Sequence, residues 1–297
     1  MRKGGAAEQS EDRDDVETKF NESLQPKKKR LLRPGWQEKL PIKPILFATL
    51  TVVLLTVLVL INRPTATALS SPELDVIRST GVLRIGVDTD LEGMYKGGKG
   101  YEKAVAEQIA TLIFGDTEGL TLTEVDRYTA PWRMNDGELD LVLMSMDAFK
   151  QDGYDRSTVP FFTDRCVILA YGPFDTLAGK TIAVLESTPS EKLLKEYVKS
   201  TAPELVIHPA ADYYSMRVML RAGTVDGLCL PETVAQSLHE SRTKILSYDI
   251  GAIPYYAIAK KDSVLLSLTS ELFYDWQLDG TFRDWAREYG VEWGANG

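Results

Sequence analysis

The sequence is poor in the residues that build metal and redox sites. It has only two cysteines, Cys166 and Cys229, two histidines, His208 and His239, and no CxxC motif. We therefore expect no zinc site, no other metal and no cofactor. Both cysteines lie in apolar, strand-like runs. A disulfide formed outside the cytoplasm and a pair of buried free thiols are both consistent with this pattern.

Motifs of the common enzyme classes are absent too. There is no GxxxxGK[ST] phosphate loop, no nucleophile elbow and no metal-ligand spacing, so we expect no enzymatic activity. The net charge is −9; residues 1–43 contribute about +3, so the rest of the chain is near −12. An acidic body of this kind argues against nucleic acid as a partner, because phosphate binding needs a basic surface.

Charge is missing altogether from residues 44–62. A helix needs about 20 apolar residues to cross the hydrocarbon core of a bilayer, so this run is predicted to be a transmembrane helix. Lysine and arginine cluster before the run and only Arg63 closely follows it. This asymmetry predicts a cytoplasmic N-terminus and a C-terminal domain outside the cytoplasm. The alternative is a signal peptide cleaved after Ala68.

The segments on either side of this run are polar. Residues 1–43 have few apolar side chains and are predicted to be a disordered cytoplasmic tail. Its basic cluster KKKRLLR sets the topology and is also suited to contact the anionic lipid of the bilayer. Residues 63–72, which contain prolines, serines and threonines, read as a linker to the outer domain.

After the linker, strand-like and helix-like segments alternate. Strands are predicted at 82–87, 120–125, 139–144, 167–171, 181–185, 205–208, 225–230 and 255–259. Helices are predicted at 101–113, 190–200, 213–222 and, as a pair, at the C-terminus. The alternation predicts an α/β fold built on mostly parallel sheets. In such sheets ligands bind beyond the carboxyl ends of the strands.

The order of several short motifs carries a resemblance. They are LDVIRSTGVLRIGVDTD, the Gly100-Tyr101-Glu102 entry to a helix, MNDGELDLVLMSM, YDRSTVPFFTD, LAGKTIAVLESTPSEKL and RAGTVDGLCL. Together they resemble bacterial extracellular solute-binding proteins of family 3, which capture polar amino acids for import. The resemblance implies a two-lobed α/β fold of the type 2 periplasmic-binding-protein kind, with hinge strands between the lobes. Lobe 1 would be 73–171 plus 253–297, and lobe 2 would be 172–252.

The resemblance also implies site residues. Arg156 matches an arginine that forks onto a ligand carboxylate, and Ser187 and Thr188 match hydroxyl residues at a helix start in lobe 2. Pro231 stands where members of the family that bind α-amino acids have an aspartate, which leaves Glu232 as a substitute. Further expected ligand contacts are Asp88, the acid after the first strand, and Ser145, at the end of the 139–144 strand. Met94 and Tyr95, which stand in place of the family's aromatic clamp, are expected contacts as well.

Function and location follow from the resemblance and the predicted anchor. The chain is expected to be a single-pass protein of the bacterial inner (plasma) membrane whose outer domain captures or senses a small polar or anionic, amino-acid-like ligand. A membrane permease, as in an ABC transporter, or a signalling protein would be its partner. The alternatives are a degenerate module that binds protein within a membrane complex and, since a few proteins of this resemblance are dehydratases, an enzyme that uses Glu102, Glu186 or Glu232 as an acid.

Overall fold

The computed structural model describes residues 71–91, 94–149 and 152–291. The predicted tail, the predicted transmembrane run 44–62 and all but the last two residues of the predicted linker lie outside these ranges. Within the ranges described, no helix has the length and apolar character needed to cross a bilayer.

The first part of the chain alternates helices and parallel strands. Its elements are α1 (Pro72–Thr80), β1 (Leu83–Asp88), α2 (Tyr101–Phe114), β2 (Leu120–Val125), α3 (Thr129–Asn135) and β3 (Leu141–Ser145). A 3-10 turn (Met146–Ala148) and β4 (Tyr154–Arg156) follow. Strand β1 pairs in parallel with β2 on one side and with β3 on the other. Helix α2 starts at Gly100, where φ is 127° and an added Cβ would lie 2.2 Å from the Met94 carbonyl oxygen, so this turn requires glycine.

The second part repeats the pattern. It comprises β5 (Phe162–Ala170), β6 (Thr181–Leu185), α4 (Pro189–Ser200), β7 (Val206–Ala210), α5 (Tyr213–Ala222), β8 (Gly227–Pro231), α6 (Glu232–Leu238) and β9 (Lys244–Leu246). The chain then returns through β10 (Ala252–Lys260) and ends in α7 (Val264–Asp279) and α8 (Thr281–Glu288). Helix α5 shows why these bounds arise: the Asp212 carboxylate accepts the Ser215 N–H at its start, and Gly223, at φ 69°, ends it.

Strand β5 joins two sheets. Its first half, Phe162–Arg165, runs antiparallel to β10, which also pairs with β3 and β4. Its second half, Cys166–Ala170, runs antiparallel to β8 and β9, and β8 continues in parallel to β6 and β7. Residues 166–170, which the motif resemblance assigns to lobe 1, therefore pair with the strands of lobe 2. The predicted strand 167–171 begins five residues earlier than expected, at Phe162, because its first half completes the sheet of lobe 1.

The two segments that connect the lobes lie side by side. Arg165 is opposite Ala252, and the Cys166 N–H donates to the Gly251 carbonyl oxygen at 2.9 Å. The polypeptide thus crosses between lobes at one place, as two hydrogen-bonded extended segments. This is the hinge geometry that the motif resemblance implies.

An aromatic cluster packs α7 and α8 onto lobe 1. Phe273 is fully buried and its ring lies 5.3 Å from that of Phe282, 5.8 Å from Trp276 and 6.2 Å from Phe161, between centroids. The geometry is tilted or edge-to-face, as aromatic quadrupoles prefer. This cluster ties the C-terminal helices to the same lobe as β1–β3.

Candidate functional site

A cavity lies between the lobes, where strands of both sheets end. Strands β1, β3 and β8 end at Asp88, Ser145 and Pro231, and the turn after β6 leads into α4. The cavity is partly open to solvent and has a volume of about 40 Å³ in this arrangement of the lobes. Its walls are formed by Asp88, Asp90, Arg127, Met144, Ser145, Asp147, Ala148, Ser187, Thr188, Pro189, Ser190, Tyr213, Pro231, Ile253 and Tyr255.

Four of the eight residues expected from the sequence meet at this cavity. Asp88 and Ser145 come from lobe 1 and Ser187 and Thr188 from lobe 2. The strand-end rule explains the first pair, because parallel strands β1 and β3 end at the same edge of the sheet. The other pair precedes α4, which places it across the cleft.

The other four lie elsewhere. Met94 is fully buried in the core, and Tyr95, half-buried, is not part of the cavity wall. Arg156 lies 4.1 Å above the Tyr256 ring because β4 pairs with β10, and it lines neighbouring grooves instead. Glu232 is held by Arg165 through two hydrogen bonds of 2.7 Å each. Its charge is already paired, so it does not replace the missing aspartate.

The structure adds cavity residues that sequence reasoning missed. Arg127 follows β2 by two residues, and its Nη1 donates to the Asp90 carboxylate at 2.9 Å. Its position shortly after the end of a strand is the sequence signal that could have identified it as a cavity residue. Tyr213 and Tyr255 gave no such signal, because they reach the cavity from the first residue of α5 and from within β10.

Two buried carboxyl groups, Asp88 on the cavity wall and Glu102 in the interior, influence each other. Asp88 is 6% exposed; one of its oxygens accepts the Asp90 N–H at 2.8 Å. Glu102 is fully buried, and neither of its carboxyl oxygens has a hydrogen-bond partner among the described residues. Burial, followed by the nearby Asp90 carboxylate, raises the pKa of Asp88 to about 8. Burial and then the Asp88 charge raise the pKa of Glu102 well above its usual value.

A third buried carboxyl lies at the hinge. Asp164 lies in β5 next to Arg165, which pairs with Glu232. Asp164 is fully buried, and its carboxylate accepts the Thr233 N–H at 3.1 Å. Burial raises the pKa of Asp164 to about 6, although the hydrogen bonds from Thr233 oppose this. The hinge therefore carries Asp164, whose pKa is raised, next to the ion pair between Arg165 and Glu232.

The start of α4 has two of its backbone N–H groups capped by side chains of the same segment. The Thr188 hydroxyl accepts the Glu191 N–H, and the Glu191 carboxylate accepts the Ser187 N–H at 2.9 Å, which is a capping-box arrangement. Ser187 has φ 59°, an uncommon conformation for a residue with a side chain. Pro189 at the first helical turn has no N–H to offer.

Contacts across the cleft join the lobes directly. The Tyr213 hydroxyl of lobe 2 donates to the Asp90 carbonyl oxygen of lobe 1 at 3.2 Å. Lys192 and Asp147, which are 68% and 46% exposed, approach to 3.9 Å. Such an exposed pair is worth little by itself. These contacts join the lobes together with the Asp164–Thr233 and Arg165–Glu232 hydrogen bonds at the hinge.

The two cysteines meet in lobe 2. Cys166 in β5 and Cys229 in β8 are both buried, and their sulfur atoms are 3.2 Å apart. The sequence left open a disulfide or two buried free thiols, and the structure has two buried thiols in contact. No group of three or more His, Cys, Asp or Glu residues is arranged for a metal ion in the part of the chain that the structure describes.

This proximity predicts an oxidation product. Refolding the full-length chain in oxidised glutathione should form an intramolecular disulfide, since the sulfur atoms need to approach by only about 1 Å. Maleimide labelling of the denatured product should then find no free thiol, and Cys166→Ser should leave Cys229 labelled. Two labelled thiols in the oxidised wild-type chain would show that the strand geometry does not permit the bond.

The fold and site together define a class. Two α/β lobes, crossing segments at β5 and β10 and a polar cleft between the lobes constitute a type 2 periplasmic-binding-protein-like fold. Solved structures agree. An amino-acid ABC transporter substrate-binding protein of Streptococcus pneumoniae bound to L-arginine superposes with a TM-score of 0.56 at 19% identity, over 72% of this chain and 97% of that one.

Two further similarities are informative. An ancestral amino-acid-binding protein, a precursor of cyclohexadienyl dehydratase, has a TM-score of 0.57 at 20% identity, over 73% and 98% of the two chains. A curated glutamine-binding protein of Geobacillus stearothermophilus is 25% identical over 179 residues, 56% of this chain and 67% of the relative. No family model matches the chain. The similarity to amino-acid solute-binding proteins of the family 3 kind is thus confirmed.

Proposed function

We propose that this chain is a membrane-tethered, extracytoplasmic solute-binding module that captures or senses a small polar organic ligand by closing its two lobes. The observation that carries the proposal is the cavity itself. It lies between the lobes beside the single crossing point, and polar groups from both lobes line it. A ligand touching both walls binds the closed state better than the open one, and this difference in affinity drives closure.

The membrane tether and the partners in this proposal are inferred from the sequence. The uncharged run 44–62 and the basic residues before it support an anchor in the bacterial inner membrane with the folded body outside. A tethered module meets partners in the same bilayer, so a permease or a signalling protein is the natural recipient of the ligand-bound state. The similarity to amino-acid-binding proteins supports transport of an amino-acid-like solute.

The test is ligand-dependent stabilisation of the full-length chain in detergent. Thermal unfolding would be followed against amino acids, organic acids and polyamines. A ligand present at a hundredfold excess over its dissociation constant should add about 2.7 kcal/mol to the free energy of unfolding. Arg156→Ala should retain this shift, because Arg156 lies outside the cavity. If no compound in the panel raises the unfolding midpoint, solute binding is refuted.

One observation favours a second candidate. The cavity encloses only about 40 Å³, and Arg156 and Glu232 do not contribute to it. A body with so little internal space suits a protein-interaction subunit of a membrane complex that no longer binds solute. Capture of a defined membrane partner by the full-length chain, together with the absence of any ligand shift, would support this candidate.

The dehydratase alternative gains no support from the site. Among the described residues, none of the glutamates considered for acid catalysis lines the cavity. Glu102 is buried, Glu232 is paired with Arg165 and Glu186 is exposed. The relatives described above are binding proteins by name, one of them a precursor of a dehydratase.

A further inference from the structure

The charges on the cavity wall do not balance. Three carboxyl residues, Asp88, Asp90 and Asp147, face one cation, Arg127. The Arg127 guanidinium is partly engaged: its Nη1 donates to Asp90 and its Nη2 donates to the Tyr128 hydroxyl, whereas its buried Nε has no hydrogen-bond partner among the described residues. Asp90 pairs with Arg127 and Asp147 lies 3.9 Å from Lys192, so among the described residues of the wall Asp88 is the carboxyl group without an ion pair, and it adds negative charge whenever it is ionised.

A ligand carboxylate would find no unpaired cation among the described residues of this wall. Arg156 stacks on Tyr256 outside the cavity. At the start of α4, the Glu191 carboxylate, which is itself paired with Lys195, already accepts the Ser187 N–H, and Pro189 offers no donor. A carboxylate placed beside Asp88 and Asp90 would meet their negative charge, and Arg127, the arginine on the described wall, is already paired with Asp90.

Unfilled polar groups point to a ligand with donors. Asp88 and Tyr255 are 6% and 4% exposed, and both line the cavity. The hydrogen bond from the Asp90 N–H occupies only one of the two Asp88 carboxyl oxygens. The Tyr255 hydroxyl has no hydrogen-bond partner among the described residues. An ammonium or guanidinium group, which only donates, would satisfy both.

We propose that the cleft selects a small organic cation without a carboxylate, an amine or guanidine bound by Asp88 and Tyr255. The inference rests on the proposed solute-binding function and narrows its ligand class. The proposed ligand differs from the amino acids named for the related proteins, because it has no carboxylate.

Ionisation of Asp88 adds a dependence on pH. The titratable groups around it are Asp90, Glu102, Asp126, Arg127, Tyr213 and Tyr255. Burial and these neighbours raise the pKa of Asp88 to about 8, so at neutral pH it is mostly protonated and must release a proton to pair with a cation. Cation binding therefore tightens as pH rises toward that value, and the complex forms with net proton release.

The test compares ligands that differ only in the carboxylate. Unfolding midpoints of the full-length chain in detergent would be measured with agmatine against L-arginine and with cadaverine against L-lysine, from pH 6 to pH 9. The decarboxylated compounds should bind at least about tenfold more tightly and gain further affinity with rising pH. Asp88→Asn, which keeps the acceptor for the Asp90 N–H, should abolish their shifts, whereas Asp275→Asn at an exposed site should not.

The possible results separate the two proposals. A larger shift with L-arginine, L-lysine or an organic acid would overturn the cation assignment and leave solute binding intact. Equal shifts in the wild-type chain and Asp88→Asn would remove Asp88 from the site and overturn the assignment as well. No shift with any compound in either variant would overturn both proposals.

Discussion

Replacing Glu102 by methionine should raise the free energy of unfolding by roughly 1–3 kcal/mol near pH 4, the usual cost of a buried polar group without a partner. Glu102 is fully buried, and neither carboxyl oxygen has a hydrogen bond among the described residues. Methionine has a similar length and no group that must be desolvated, so it removes the penalty without leaving a cavity.

The gain should depend on pH with a definite sign. Burial and the Asp88 charge raise the pKa of Glu102 in the folded chain, whereas in the unfolded chain it titrates near the ordinary value of about 4. The folded state therefore holds a proton that the unfolded state has lost, so the contribution of Glu102 to the stability of the wild-type chain falls as pH rises above about 4. The methionine variant lacks this loss, so the difference between the two should grow from pH 4 to pH 8.

Urea unfolding at several pH values measures this difference. Glu118→Met, at an exposed position, is the control and should leave the dependence on pH unchanged. Parallel stability curves for the wild-type chain and Glu102→Met would show that Glu102 has an ordinary pKa in the folded state. A simple loss of stability in the variant at every pH would show that its carboxyl group has a partner.

Phe273→Ala should destabilise the fold by about 3–5 kcal/mol, as typical for a fully buried aromatic residue. The side chain lies between the rings of Phe161, Trp276 and Phe282, and its removal leaves a cavity among them. For a body of this size each kcal/mol lowers the unfolding midpoint by roughly 2–4 °C, so a drop of about 10 °C is expected.

Thermal unfolding followed by circular dichroism would record this change. Tyr274→Ala provides the comparison, because Tyr274 is the next residue of α7 but is 53% exposed, and its loss should alter stability by less than about 0.5 kcal/mol. Similar midpoints for the two variants would mean that α7 and α8 contribute little to the stability of lobe 1.

Local sequence patterns predicted most helices and strands, because the residues that mark such an element lie within it or next to it. The strand 181–185 and the helix 213–222 have the predicted bounds, since polar caps and glycine mark their ends. The resemblance also implied two lobes and a hinge. The length of β5 was not predictable in this way, because its first half is fixed by pairing with β10, which lies about 90 residues further along the chain.

The same distinction applies to the site. Asp88 and Ser145 were predictable because they end adjacent parallel strands. Arg156 keeps the spacing seen in the family, but pairing of β4 with β10 directs it onto the Tyr256 ring. Tyr255 reaches the cavity through its register opposite Ser145, a long-range contact that no local pattern encodes.

The position of β10 has a consequence for synthesis of the protein. In the first sheet this strand lies between β3 and β5, although it is the last strand to leave the ribosome. Until it arrives, β3 offers an unpaired edge and lobe 1 is incomplete, while all strands of the second sheet are already available. The later-encoded lobe should therefore mature first, and a chain stopped before residue 252 would expose a sticky β-edge to neighbouring molecules.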